Sequence, residues 1–290
     1  MPRKRTGLNI PRSAAPLARC QAQNQGMMDF RTATVEDLAG IHAVWWAADP
    51  FDAFNHNPWF RHVLRTGSMM VATVEGRVVG FAGVREVSDT KVVSDCFVDP
   101  EHQARGIGTG LLSRLLPLEG PVMTLASQDP KARSLYSRFG MAPKWECHYV
   151  EGDPTRVDPG AMTAREVTAY PIAESDFAHL REDLGCRFLE MGNGHAAVSG
   201  DTIESCIVTA SIVMPSGDPG AVLSTVLGWT AGRGMPNVNL QISELHPAFT
   251  LLTAAGFVVT GVDTFMASPG AKVPDPARTT FNGDILRLIE

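Results

Sequence analysis

Gly106, Gly108 and Gly110 fall within five positions, just where an apolar stretch from Ile107 to Leu116 begins. No other feature of the chain limits its fold so strongly. Glycine at the opening of a helix allows a close approach to the main chain, and the free N–H groups of a first turn, with the helix dipole, favour a phosphate. Spacing excludes two common phosphate loops. A dinucleotide fingerprint needs Gly-x-Gly-x-x-Gly inside a strand-helix-strand unit, whereas the spacing here is Gly-x-Gly-x-Gly after several short strands. A P-loop ends in Gly-Lys-Ser/Thr, and Gly110 is followed by Leu111 and Leu112. A tight strand-to-helix turn that uses glycine only for its geometry is the simpler alternative.

The surrounding pattern supplies the context. Phe30 to Ala33 reads as a short strand, and Thr34 with Asp37 forms a capping-box signal ahead of Leu38, Ile41 and Trp45 at helical spacing. Three β-branched runs, "MMVATV", "VVGFAGV" and "KVVSDCFV", are separated by short polar breaks and describe an antiparallel meander. The glycine loop and its helix follow. Then come "PVMTLA" as a strand, "PKARSLYSRFG" as a helix closed by Gly140, and "WECHYV" as a strand.

Gln103-Ala104-Arg105-Gly106-Ile107-Gly108 after a meander, followed by Asp129-Pro130-Lys131-Ala132-Arg133-Ser134-Leu135-Tyr136, resembles the GNAT acetyltransferase superfamily. Its pyrophosphate loop is Gln/Arg-x-x-Gly-x-Gly/Ala, and its next helix carries Asn-x-x-Ala-x-x-Leu-Tyr. The first motif matches throughout; in the second, Asp129 replaces Asn. The resemblance covers residues 29 to 150. It implies acetyl-CoA as cosubstrate, with no metal, held by Phe97, Val98, the loop Gln103, Ala104, Arg105, Gly106, Ile107, Gly108, Thr109 and Gly110, and by Asp129 and Tyr136. It also implies Tyr136 as the acid that protonates the departing thiolate, and a carboxylate on the strand before the loop as base. Asp95 is the only carboxylate on that strand, with Glu146 and His148 on a later strand as second choices. Strict alternation puts Val92, Ser94 and Cys96 on one face and Val93, Asp95 and Phe97 on the other.

The stretch "WWAADPFDAFNHNPWF", from Trp45 to Phe60, carries six aromatic residues. They wall an aromatic acceptor pocket or pack helix against sheet.

Residues 151 to 166 read as a linker, and beyond it the order of signals repeats through residue 290. "AESDFAHLREDLG" reads as a helix, "ESCIVTASIVM" as a strand, "GAVLSTVLG" as a helix, "NVNLQIS" as a strand and "HPAFTLLTAAGF" as a helix before a closing strand. The fold class is therefore α/β, with two GNAT-like domains, each a mixed, mainly antiparallel sheet flanked by helices. The second is degenerate. Met214 stands at the Gln103 position, Gly217 at Gly106, Pro219 at Gly108 and Leu252 at Tyr136, as in tandem acetyltransferases.

Residues 1 to 28 are basic, with no acidic side chain before Asp29, and read as a disordered leader ahead of a natural start at Met27 or Met28. The net charge of −6 argues against nucleic acid and acidic membranes as partners. Five widely spaced cysteines without a Cys-x-x-Cys pair indicate neither a disulfide framework nor zinc, and a cytoplasmic setting. The expected activity is transfer of an acetyl group to a small-molecule or peptide amine in a ternary complex, by a monomer or homodimer. The alternative is an acyl-CoA sensor without turnover.

Overall fold

A computed structural model describes residues 28–49, 57–87, 89–116, 120–169, 173–183, 185–200, 207–213 and 217–280. The leader up to residue 27, Cys20, Cys206, Met214, Pro215 and residues 50–56 of the aromatic stretch lie outside them.

The first half opens with β1 (Met28–Thr32) and the Thr34–Asp37 box, in which Thr34 N–H donates to Asp37 Oδ2 at 2.9 Å. Arg31 grips the same carboxylate at 2.7 Å and holds the Asp37 carboxyl below the usual range. Helices α1 (Leu38–Ala48) and α2 (Asn57–Thr66) follow, then the meander β2 (Ser68–Val74), β3 (Arg77–Val87) and β4 (Thr90–Val98). After the glycine loop come α3 (Ile107–Leu115), β5 (Val122–Ser127), α4 (Pro130–Ser137) and β6 (Ala142–Gly152). Helix α2 was not expected. Its Trp59, Phe60 and Val63 join Ile41, Val44 and Trp45 of α1 in a core against Met69, Val71 and Phe81. The aromatic residues described here mostly serve packing, with Trp46 half exposed at 49%.

The second half comprises β7 (Arg165–Val167), α5 (Glu174–Ala178), which runs into a π-helical turn at His179–Asp183, β8 (Arg187–Met191), β9 (Gly194–Gly200) and β10 (Ile207–Val213). It continues with α6 (Pro219–Ala231), β11 (Val238–Ser243), α7 (Ala248–Ala254), β12 (Val258–Ala267) and the short β13 (Thr279–Thr280). The hairpin β8–β9 had not been read from the sequence. The 151–166 segment is also less loose than a spacer: β6 occupies its start, and a Cβ on Gly228 of α6 would come within 2.6 Å of Pro159.

All the described strands form one sheet, in the order β1-β2-β3-β4-β5-β12-β6-β11-β10-β9-β8-β7, with β13 beside β10. The halves have exchanged strands: β12 lies between β5 and β6, and β6 between β12 and β11. Antiparallel pairing from Val258↔Glu151 to Ala267↔Ala142, with register shifts between Val259 and Gly261 and between Phe265 and Met266, joins them. The back of this sheet carries α3 with α4 and α6 with α7, over cores around Leu111 and Leu223. Its front carries α1, α2 and α5.

Candidate active site

Strands β4 and β5 run parallel but pair only from Lys91↔Val122 to Val93↔Thr124. Beyond Val93 they separate, leaving the β5-facing edge of residues 94–98 without a strand partner. A cleft of about 550 Å³ opens there, walled by Cys96, Phe97 and Val98 on one side and Ser127 on the other. The glycine loop and the start of α3 enter the same cleft through Gln103, Ala104, Gly106, Ile107, Gly108 and Thr109, and α4 enters it through Asp129 and Tyr136. The two motifs, separated in sequence, thus meet at one opening.

The three glycines have three different reasons. Gly106 takes a φ of +79° at the N-cap of α3, and a Cβ there would meet nothing within 4 Å. Ala104 also has a positive φ, +61°. Together they turn the main chain so that the first N–H groups of α3 face outward, the arrangement that suits an anion. The intrahelical ladder starts only with Gly110 N–H donating to Gly106 O at 2.9 Å, and no acidic residue lies in the first turn. Gly108 lets α4 approach, since a Cβ would come within 3.1 Å of Leu135 Cδ2. Gly110 makes room for Phe30, whose Cζ would lie 2.6 Å from its Cβ.

Gly110 and Arg105 are therefore not among the residues that line the cleft. Gly110 faces β1, and the exposed Arg105 guanidinium donates to Glu101 O at 3.0 Å. Gln103 braces the loop, its Nε2 donating to Val98 O at 3.3 Å. Asp129 retains a capping role, accepting from Lys131 N–H at 2.8 Å at the start of α4. Asp99, Glu101 and His102 each bring a possible metal-ligand atom within 4.8 Å of the others. Asp99 Oδ1 there accepts from Glu101 N–H, which makes it the cap of the turn before the loop.

The strict alternation expected on β4 is broken. Gly83 pairs with Asp95 and Val84 with Val93, so Ser94 is the extra residue of a bulge. Val93, Cys96 and Val98 consequently pack with α3 at the back. Asp95 turns to the front, where its Oδ2 accepts from Trp59 Nε1–H at 3.2 Å and Ser94 Oγ–H at 2.6 Å. It is buried beside α2 and does not line the cleft. Cys96 does. Burial, and then the Asp95 charge, push its thiol up to about 12. Of the second-choice bases, Glu146 is exposed, and His148 packs on Phe249 of α7, 4.9 Å between ring centroids, in the second half.

The second half answers differently at the matching place. Gly217 keeps a positive φ of 103°, but Asp218 caps α6 with its own carboxylate, accepting from Gly220 N–H at 2.8 Å. Pro219 at the first helical position has no N–H to offer. Leu252, at the Tyr136 position, is fully buried.

Sequence reasoning missed Cys96 and Ser127 as cleft walls, and it missed the front-face residues that β12 brings beside them. Only the separation of β4 from β5 exposes the first two, and nothing local in the sequence signals it.

Residues 65–140 match the family model described as "Acetyltransferase (GNAT) domain". No curated protein sequence matches the chain. Among solved structures, one from Pyrococcus horikoshii, provisionally assigned as an acetyltransferase, is 18% identical with a TM-score of 0.66, covering 90% of this chain and 94% of that one. A tandem GNAT protein from the clavulanic acid biosynthesis pathway is 18% identical with a TM-score of 0.61, covering 83% and 98%. A GCN5-related N-acetyltransferase from Sphaerobacter thermophilus is 16% identical with a TM-score of 0.56, covering 83% and 95%. At these identities the likeness carries the fold. Over residues 65–140 the chain carries a GNAT acetyltransferase domain, set in a fold shared with tandem GNAT proteins.

Proposed function

We propose that the first half transfers an acetyl group from acetyl-CoA to a small-molecule or peptide amine by direct transfer in a ternary complex, and that the second half binds no CoA. The observation that carries this reading is the convergence of the open α3 N-terminus, the unpaired edge of β4 and Tyr136 on one cleft. The outward N–H groups from Gly106 onward suit a pyrophosphate, and the free edge at Phe97 and Val98 suits an extended arm with amide groups. Tyr136 hands its phenol proton to the departing thiolate as the carbon–sulfur bond breaks, which requires the two to be held close because their ordinary pKa values are about 10 and 8.5. Asp95 is the carboxylate that β4 supplies to the front face. Cys96 stays a thiol at neutral pH, since its pKa is pushed up to about 12, so no acyl-cysteine route is expected. Among the described residues no helix is long and apolar enough to cross a membrane, and Cys96 and Cys147 are free thiols, in keeping with a cytoplasmic setting.

Asp129 in place of Asn keeps the sensor alternative in play. Thiol release from acetyl-CoA with a panel of amines separates the two: the enzyme releases CoA thiol well above the hydrolysis background, and the sensor does not. Calorimetric titration is expected to find one CoA per chain. A stoichiometry near two would overturn the assignment of the second half.

A further inference from the structure

A polar row crosses the front of the sheet where the halves exchange strands. Ser127, on the cleft wall, pairs directly with Asp263 of β12, and directly opposed residues share a face. Asp263 pairs on its other side with Cys147 of β6, and its Oδ2 accepts from Tyr149 Oη–H at 2.6 Å. Gln241 of β11 stands opposite Tyr149 on the same face. It is only 7% exposed, and its Oε1 has no donor among the described residues. Trp145 and Phe265, also on this face, stack at 4.2 Å between ring centroids. Burial pushes the Asp263 carboxyl up, against the Tyr149 hydrogen bond, and the charge of Asp49 at the end of α1 pushes it the same way as burial. Among the described residues no cation pairs with Asp263. Two carboxylates within electrostatic reach, an acceptor oxygen without a donor and a flat apolar floor together suit a cation brought from outside.

We propose that Asp263, braced by Tyr149, receives the ammonium of a polyamine-like acceptor, with Asp49 facing a second cationic nitrogen. The second half thereby completes the acceptor side of a cleft whose cofactor side belongs to the first. The proposal rests on the acetyltransferase reading and names its substrate class. It also moves the base from Asp95, which is buried beside α2, to Asp263, which is half-buried and stands directly opposite the cleft-wall residue Ser127. The protons balance. The nitrogen loses two as its bond to the acetyl carbon forms and the carbon–sulfur bond breaks. One passes through Asp263 to solvent, and the other replaces the phenol proton that Tyr136 gives to the sulfur.

Spermidine is the probe, titrated calorimetrically into the full chain saturated with CoA. Asp263→Asn keeps the shape and removes the charge, and should weaken spermidine binding at least about 30-fold while CoA affinity stays within about twofold. The exposed Asp49→Asn cannot disturb the core and should weaken it by about three- to tenfold. Spermidine affinity unchanged in both variants, or no binding to the unaltered chain, overturns the proposal. Thiol release is read separately. Spermidine binding that depends on Asp263, without any release from acetyl-CoA by the unaltered chain, would uphold the cation site and sink the enzyme reading.

Discussion

Helices α3 and α6 occupy equivalent places in the two halves, yet their N-termini have opposite chemistry. At α3 a left-handed Gly106 aims main-chain N–H groups at a cleft and no carboxylate stands in the first turn. At α6 the Asp218 carboxylate sits where a phosphate would, and Pro219 has removed a donor. The difference shows that a helix dipole is not itself a binding site, because a chain can spend it on its own side chain. At the following helices the carboxylate cap is in the first half instead. Asp129 caps α4 with a carboxylate, whereas α7 is capped by the ring of His246, whose Nδ1 accepts from Ala248 N–H at 3.1 Å.

The largest effect should come from removing the acid that only one half possesses. Tyr136→Phe is expected to lower kcat by about 10² to 10⁴ with little change in CoA affinity. A rate within about threefold of the unaltered protein would make Tyr136 as much a packing residue as Leu252.

The His246 cap should respond to acid. Burial lowers the His246 pKa to about 4, from 6.5 in the open chain. The folded state resists a proton that the unfolded state accepts, so the contribution is complete above pH 6.5 and is lost as pH falls from 6.5 towards 4. By linkage this amounts to about 3 kcal/mol. Denaturant melts across that window should show the loss, and His246→Asn, which can still cap, should flatten it. An equally steep decline in His246→Asn would assign the acid sensitivity elsewhere.

A smaller effect is expected at the loop. Gly106→Val puts a β-branched residue at φ +79°, which costs about 1–2 kcal/mol, at a position that lines the cleft. Calorimetry should report CoA binding weakened by at least about tenfold. Unchanged affinity would mean that the loop serves the turn alone.

The meander, the loop and the α4 motif were legible in the sequence because each is local: β-branched alternation, glycine spacing and a cap residue all act within a few positions. Helix α2 was not, because Trp59, Phe60 and Val63 follow a stretch in which aromatic and turn-forming residues mask the helical period. The β8–β9 hairpin carries a turn signal in Gly192-Asn193-Gly194, but its short strands lack a clear alternation to accompany it. The bulge at Ser94 and the place of Asp263 could not be read in this way. Both depend on which strand lies alongside, and partners distant in sequence decide that.

The exchange of β6 and β12 also sets the order in which the molecule can be made. Gln128 reaches Thr264 across 136 positions, so β5 gains its neighbour β12 only after the whole of the intervening chain has been made. During synthesis the first half leaves the ribosome with β5 and β6 unjoined and a bare edge between them, a surface open to mispairing until β12 arrives. The same late pairing makes completion of the cleft a slow, high-contact-order event. A nascent chain that already has its phosphate loop would still lack Asp263, and so the means to hold an acceptor, until β12 is delivered.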